Sequence, residues 1–458
     1  MSLSHFNLSM VLNLKEVLTA VSKAQLTDHQ AWRGRLVIWL GAAAVGLITV
    51  VFVRLSDLAI RLFFALQAIA WWVPLVVTPL GGMLIAAITT KWFAGAKGSG
   101  IPQTIAAVQE QEAMVSPLIS LKLALGKILL GASALAVGFS SGREGPAVQI
   151  GASVLHSFRR LVPEGFSVHP HHLIMAGGAA GIAAAFNTPL AGIVFAIEEL
   201  GRKFEQKTNG VVITAIVLSG LVSISLQGNY TYFGSLAVGH VDRTILWPVL
   251  VCGLICGVLG GVFSRTLIEA SLPMNDWPAR LRKTHPLIWA GACGLVVALL
   301  GLVSHGAAHG SGYQYTQQML SGGVKEAWQY APIKYLATIF TYLSGVPGGI
   351  FAPSLSIGAG IGNDLLSVFG GTYSQAAICA LCMAAFLAAV TQAPITSFII
   401  VMEMIDGHLM VISLMAVALL SSIVARLFSP PLYAALAITA NSGNPLLEHK
   451  EKKRASPF

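Results

Sequence analysis

The sequence predicts an all-α polytopic membrane protein made of two homologous halves, and three observations carry that reading. Of its 458 residues 55% are hydrophobic and only 10% charged, against about 25% charged in soluble domains, and the mean hydropathy is +0.74. Apolar stretches of spanning or near-spanning length recur along the chain. Two pairs of segments also repeat in the same order at nearly the same offset.

The apolar stretches lie near 36–53, 58–90, 118–140, 172–197, 210–226, 245–263, 287–304, 332–344, 374–402 and 410–428. Several exceed the ~20 residues of one span without reaching two, which predicts tilted or broken helices. A β-barrel is excluded, because barrel strands alternate polar and apolar residues. Lysine and arginine cluster at Lys15, Lys23, Arg33 and Arg35, and again at Lys450, Lys452, Lys453 and Arg454, within a net charge of +9. The positive-inside rule then puts both termini in the cytoplasm, with an even number of crossings. Residues 1–35 are polar and amphipathic, without the apolar core of a signal peptide, and read as a cytoplasmic N-terminal segment. Membrane repeat 1 is expected over 36–230, membrane repeat 2 over 240–433, and a short cytoplasmic tail over 434–458. That tail falls below the ~50 residues of a folded domain. Cys252, Cys256, Cys293, Cys379 and Cys382 all lie in apolar runs and read as small buried hydrophobes. The HPHH at 169–172 reads as an interfacial loop. No metal site, cofactor or nucleic-acid partner is expected.

The repeat is explicit in the letters. GREGPAVQIGA (142–152) and GIFAPSLSIGA (349–359) share Gly, Pro, Ile, Gly and Ala at five of eleven positions, at an offset of 207. AAGIAAAFNTPLAGIVFAIE (179–198) aligns with AAFLAAVTQAPITSFIIVME (384–403) at an offset of 205, with Pro189 and Pro394, and Glu198 and Glu403, in register. Transporters are often built from such repeats, inverted if each half crosses the membrane an odd number of times, and their sites form where broken helices of the two halves meet.

Three segments have the form of a helix start: GSGIP (98–102), GREGP (142–146) and GGIFAP (348–353). Each is a glycine-containing turn that ends in proline and runs into an apolar helical pattern. Such a terminus offers unpaired N–H groups and roughly half a positive charge. Inside a bilayer those donors need a partner, and an anion is one. Ser99 adds a hydroxyl to the first turn, and Ile350 and Phe351 would supply backbone N–H groups at the third. Glu144 lies two residues before Pro146, where its carboxylate can fold back onto the same donors and compete with an anion. Protonation would end that competition, which yields anion–proton exchange from electrostatics alone. Arg143 either attracts anions in a vestibule or makes a structural ion pair. Glu198 and Glu199 end the helix begun near Pro189, just before Arg202 and Lys203, so one of the two is a proton acceptor at the inner face or both form a solvated helix end.

GSGIP, GREGP and GGIFAP, in that order and spacing and with PLY near the C-terminus, resemble the CLC family of chloride channels and chloride/proton antiporters over residues 36 to 433. The resemblance implies a CLC-type inverted repeat of tilted, broken helices. It further implies a homodimer in the lipid bilayer of the bacterial inner membrane, with one pathway per subunit and chloride ions bound in it. Ser99 and Tyr433 match the hydroxyls that contact the central anion, and Ile350 and Phe351 match the amide pair. Glu144 matches the gating glutamate, flanked by the Arg143 and Gly145 amides, and Glu199 matches the internal proton-transfer glutamate. Both glutamates are present, which favours the antiporter over the passive channel of the same family. Serine at 99 matches chloride-selective members. Gln103 departs from the pattern, because related transporters often carry glutamate after GSGIP. An alternative from another class is an intramembrane hydrolase, with Ser99 as nucleophile and His305 or His309 as base.

Overall fold

A computed structural model describes residues 29–109, 117–164, 166, 168–201, 209–235, 245–272, 277–322, 328–369 and 373–442. The basic residues flanking them, Lys15, Lys23, Arg202, Lys203 and Lys450 to Arg454, lie outside these limits. Eighteen α-helices make up the described chain, and its single strand-like pairing is an isolated bridge between Gly142 and Gly349. The first half contains α1 (His29–Ile69), α2 (Val73–Trp92), α3 (Ile101–Gln109), α4 (Leu121–Ala136), α5 (Glu144–Ser157), α6 (Pro170–Phe186), α7 (Pro189–Phe195) and α8 (Asn209–Gln227). The second half contains α9 (Leu246–Ser271), α10 (Trp277–Thr284), α11 (Pro286–Val303), α12 (Tyr313–Leu320), α13 (Tyr330–Leu343), α14 (Phe351–Leu365), α15 (Gln375–Thr391), α16 (Pro394–Ile405), α17 (Val411–Ala425) and α18 (Leu432–Ser442).

Among the described residues, six helical segments are long and apolar enough to cross a bilayer: α1, α2, α8, α9, α11 and the run His408–Ala425 that contains α17. The helices that follow the three glycine turns are shorter, with 9 residues in α3, 14 in α5 and 15 in α14. At 1.5 Å per residue none of these spans the ~30 Å hydrocarbon core. The chain is therefore an all-α membrane protein whose short helices begin part-way through the protein. The breaks have local causes. Helix α6 stops at Asn187, which is left-handed at φ 59°, and α15 stops at Gln392 at φ 56°; a proline opens the next helix two residues later in both halves. Two expectations need correction. Residues 36–53 and 58–90 do not form separate segments, because α1 runs unbroken through Arg54 and Asp57 and the break comes at 70–72, before Pro74. The polar residues are tolerated in the helix because Arg54 donates to Leu226 O (2.6 Å) and Asp57 pairs with Arg143. HPHH is no loop either, since Pro170 opens α6 and His171 and His172 form its first turn, with the three histidine rings packed on one another.

The two halves are related by inversion. Glu198, on the π-helical turn Ala196–Gly201 that extends α7, accepts from the N–H groups of Ile395 (3.1 Å) and Thr396 (2.6 Å) at the start of α16. Glu403, near the end of α16, accepts from Leu190 (3.2 Å) and Ala191 (2.7 Å) at the start of α7. Each helix thus caps the other's N-terminus with its own C-terminal carboxylate, which requires the two to run antiparallel. The partners are repeat equivalents, so a pseudo-twofold axis passes between them. The Gly142–Gly349 bridge lies on the same relation: each donates to the other's carbonyl, at 2.7 and 2.8 Å, across the 207-residue offset. Around this axis α5 packs on α6 and α14 on α15 through small residues, the usual device for close approach of helices in lipid. All five cysteines are buried; Cys379 and Cys382 face Gly362 and Gly358 where α14 and α15 cross.

Candidate functional site

The three glycine turns predicted from sequence meet at the centre of the molecule. Gly142 and Gly349 pair directly, so the starts of α5 and α14 lie side by side, and Gly348 donates to Gly98 O at 3.1 Å, which adds the start of α3. Gly145 is pressed between Ser99 and Gly349. A Cβ there would sit on the Ser99 hydroxyl, at 2.9 Å from Ser99 O and 3.2 Å from Gly349 Cα, so only glycine allows this approach.

Polar atoms collect where the turns meet. Ser99 and Tyr433 are 1% and 0% exposed, and neither hydroxyl has a hydrogen bond of ordinary geometry to a described residue. Tyr433, at the first turn of α18, faces Ser99 and lies within electrostatic range of both Glu144 and Glu199. Glu144 is fully buried, and neither carboxylate oxygen makes an ordinary hydrogen bond to a described residue. Its carboxylate folds back towards the amides of Arg143, Glu144 and Ala352, the last belonging to the opposite half. Ile350 and Phe351 open α14 on the same side, both buried, with the Phe351 ring 5.6 Å from that of Phe186. Concentrating unsatisfied donors beside a buried carboxylate is costly in an apolar interior. The arrangement therefore suits an anion that competes with Glu144.

Arg143 points the other way. Its guanidinium pairs with Asp57 and reaches Val53 O and the Tyr232 hydroxyl, each at 3.4 Å. It also lines a cavity of about 530 Å³ with Arg54 and Arg61. Arg143 thus makes the ion pair that one of the two sequence readings describes, at the wall of this cavity. Glu199 is 2% exposed and turned into the core on the Tyr433 side, whereas Glu198 is spent on capping α16. Gln103 holds the first glycine turn in shape, since its Oε1 accepts from Gly100 N (2.9 Å) and its Nε2 donates to Lys97 O (2.6 Å). An ionised glutamate could make only the first of these bonds. His309 is engaged elsewhere, with Nδ1 at 2.6 Å from Gly138 O and its ring 4.6 Å from that of Phe63.

One residue that sequence reasoning missed bears directly on Ser99. Lys127 on α4 is fully buried and donates to Ala96 O (2.8 Å) and Gly98 O (2.6 Å). In a trans peptide the N–H points opposite to the C=O, so drawing Gly98 O towards Lys127 turns the Ser99 N–H away from it. A signal was available, because Lys127 and Lys334 stand 207 residues apart in otherwise apolar runs.

Most of the chain is similar to known proteins. The sequence model of the voltage gated chloride channel family matches residues 81–426. The H+/Cl− exchange transporter ClcA of Cronobacter sakazakii is 31% identical over 385 residues, 80% of each chain. ClcA of Salmonella typhimurium is 29% identical over 401 residues, 84% of this chain and 82% of that one. Among solved structures, a slow cyanobacterial Cl−/H+ antiporter superposes with a TM-score of 0.79 at 22% identity, covering 90% of this chain and 99% of its own. A CLC-type fluoride/proton antiporter gives 0.73 at 24% identity, over 88% and 96%.

Proposed function

Because the chain belongs to the voltage gated chloride channel family, we propose that it is a secondary active transporter exchanging chloride for protons across the membrane. The observation that carries this reading is the buried Glu144 carboxylate, held among the same helix-start amides that, with the Ser99 and Tyr433 hydroxyls, would coordinate the anion. The relatives named as H+/Cl− exchangers support the choice of ions. The fold alone does not choose the anion, since a fluoride/proton antiporter shares it.

In this reading chloride sits between the hydroxyls of Ser99 and Tyr433 and the amides of Ile350 and Phe351. Neutral donors hold it firmly enough to enter and loosely enough to leave. The ionised Glu144 carboxylate takes the outer amides, including those of Arg143 and Gly145. Protonation neutralises it, the amides turn to chloride, and the proton has then entered the pathway. Glu199 passes that proton to the opposite face. Anion and proton thus compete for one set of donors, and their fluxes are coupled without any bond being made or broken in the substrate. We place the protein as a homodimer in a bacterial inner membrane with both termini cytoplasmic, one pathway per subunit, over the two repeats 36–230 and 240–433.

Proteoliposomes carrying equal chloride on both sides, with a pH gradient and the voltage clamped by a potassium ionophore, test the function. An exchanger drives chloride towards the acidic side. A chloride flux that ignores the gradient would instead identify a passive channel. Glu144→Gln, a neutral mimic of the protonated gate, is expected to keep chloride flux and lose the pH-driven component.

A further inference from the structure

We propose that the Arg143 cavity contains a second anion site, built on the turn Gly310–Ser311–Gly312 and suited to a small inorganic anion that loads the pathway. The inference rests on the reading of the Ser99 turn as an anion site, which it extends to the other half of the chain.

GSGIPQT (98–104) recurs as GSGYQYT (310–316), at an offset of 212. The two turns share a backbone. Gly98 and Gly310 have φ of 69° and 64°, and Gly100 and Gly312 have 106° and 81°, values that favour glycine. Each turn opens a helix, and in each the Thr amide (Thr104, Thr316) donates to the second glycine's carbonyl at 3.0 Å. They also share a clamp. Lys334, 0% exposed, donates to Ala308 O (3.0 Å) and Gly310 O (2.7 Å), as Lys127 does to Ala96 O and Gly98 O, with a longer contact to His309 O (3.3 Å). The peptide geometry that turns the Ser99 N–H away from Lys127 therefore turns the Ser311 N–H away from Lys334. Two buried lysines with carbonyl partners at equivalent places are hard to explain as packing, since burying an ammonium is expensive.

The copies differ in what they face. At the first turn, Gln103 caps the Gly100 amide. Among the described residues no side chain caps the start of α12, whose N-cap residue is Gly312. Gly310, Ser311 and Gly312 all line the cavity of about 530 Å³, together with three arginines (Arg54, Arg61, Arg143) and one carboxylate, Asp57. An independent feature points to a ligand there. Ser141 lines the same cavity, is 1% exposed, and its hydroxyl has no hydrogen-bond partner among the described residues. Gly310 N donates to Phe139 O at 3.1 Å, which brings Ser141 beside the turn. A helix N-terminus, an unpartnered hydroxyl and a net positive lining describe an anion site. An anion held there waits beside Arg143.

Crystals of the full protein grown in bromide test the proposal by anomalous scattering. The expected result is one peak between Ser99 and Tyr433 and a second within hydrogen-bonding distance of the Ser311 amide. A peak at Ser99 with none in the cavity overturns the inference and leaves the transport reading intact. A cavity peak without one at Ser99 overturns the reading of the central site, and an absence of both overturns the two together. Lys334→Met is expected to weaken bromide binding in the cavity about tenfold, the effect of losing one charge-assisted interaction, while occupancy at Ser99 is unchanged. If that variant does not fold, Arg61→Gln serves instead, with a smaller loss in the cavity alone; equal occupancy in variant and wild type would refute the proposal.

Discussion

Replacing Tyr433 with phenylalanine removes a single oxygen from the centre of the molecule. Tyr433 is 0% exposed, and its hydroxyl has no ordinary hydrogen-bond partner among the described residues. The substitution therefore breaks no strong bond within the protein and leaves the packing of α18 on α3 in place. In the proposed site it removes one of two hydroxyl donors to the anion. A hydrogen bond to a charged group contributes about 1.5–3 kcal/mol, so chloride should bind roughly ten- to a hundredfold more weakly. Linkage gives a second readout. Chloride at a hundred times its dissociation constant stabilises the folded protein by about 2.7 kcal/mol, and a tenfold loss of affinity lowers this to about 1.4 kcal/mol. Calorimetric chloride titration in detergent measures the first quantity, and thermal unfolding with and without chloride the second. The chloride-dependent rise in Tm should fall by about half while the chloride-free Tm stays put. Affinity within twofold of wild type, or a Tm loss of equal size without chloride, would refute the assignment of the hydroxyl to the anion.

Glu199→Gln should stop proton movement in the proteoliposome assay while chloride flux persists; undiminished coupling would move the inner proton step to another group. Lys127→Met should release Gly98 O and lower chloride affinity about tenfold by disordering the Ser99 amide, and calorimetry finding wild-type affinity would reject the clamp. Glu198→Ala and Glu403→Ala each uncap two helix-start amides and should cost about 1–2 kcal/mol of stability, by similar amounts because the two clasps are repeat equivalents. Thermal unfolding that shows no loss in either variant would contradict the reciprocal capping.

The three helix starts were legible in the letters because each is encoded locally. A turn of glycines followed by proline encodes a helix start wherever it stands, so 98–102, 142–146 and 348–353 were readable one by one, and Ser99, Glu144, Ile350 and Phe351 came with them. The repeat was readable for the same reason, since a matched offset survives in one dimension. Local reading failed where a polar group is satisfied from far away. The apolar stretches 36–53 and 58–90 stand apart in the sequence, yet α1 carries the intervening Arg54 and Asp57 through because Leu226 O and Arg143 lie alongside. HPHH looked like a loop because its histidines are polar, yet Pro170 and the close ring packing start a helix there.

Composition, the three helix starts and the two offsets determined by themselves that this is a helical membrane protein of two related halves, with short helices beginning inside it. Direction was left to the tertiary structure, because an offset counts residues and carries no orientation. Only the antiparallel clasp of Glu198 with α16 and Glu403 with α7, and the pairing of Gly142 with its own equivalent Gly349, turn the halves against one another. That inversion brings amides from both halves to the Glu144 carboxylate. It also gives the paired turns different surroundings, Ser99 facing Tyr433 in the core and Ser311 opening onto the Arg143 cavity. The physical reason is that helix-start amides must find their acceptors in space, and here Glu198 and Glu403 meet theirs 197 to 213 residues away along the chain.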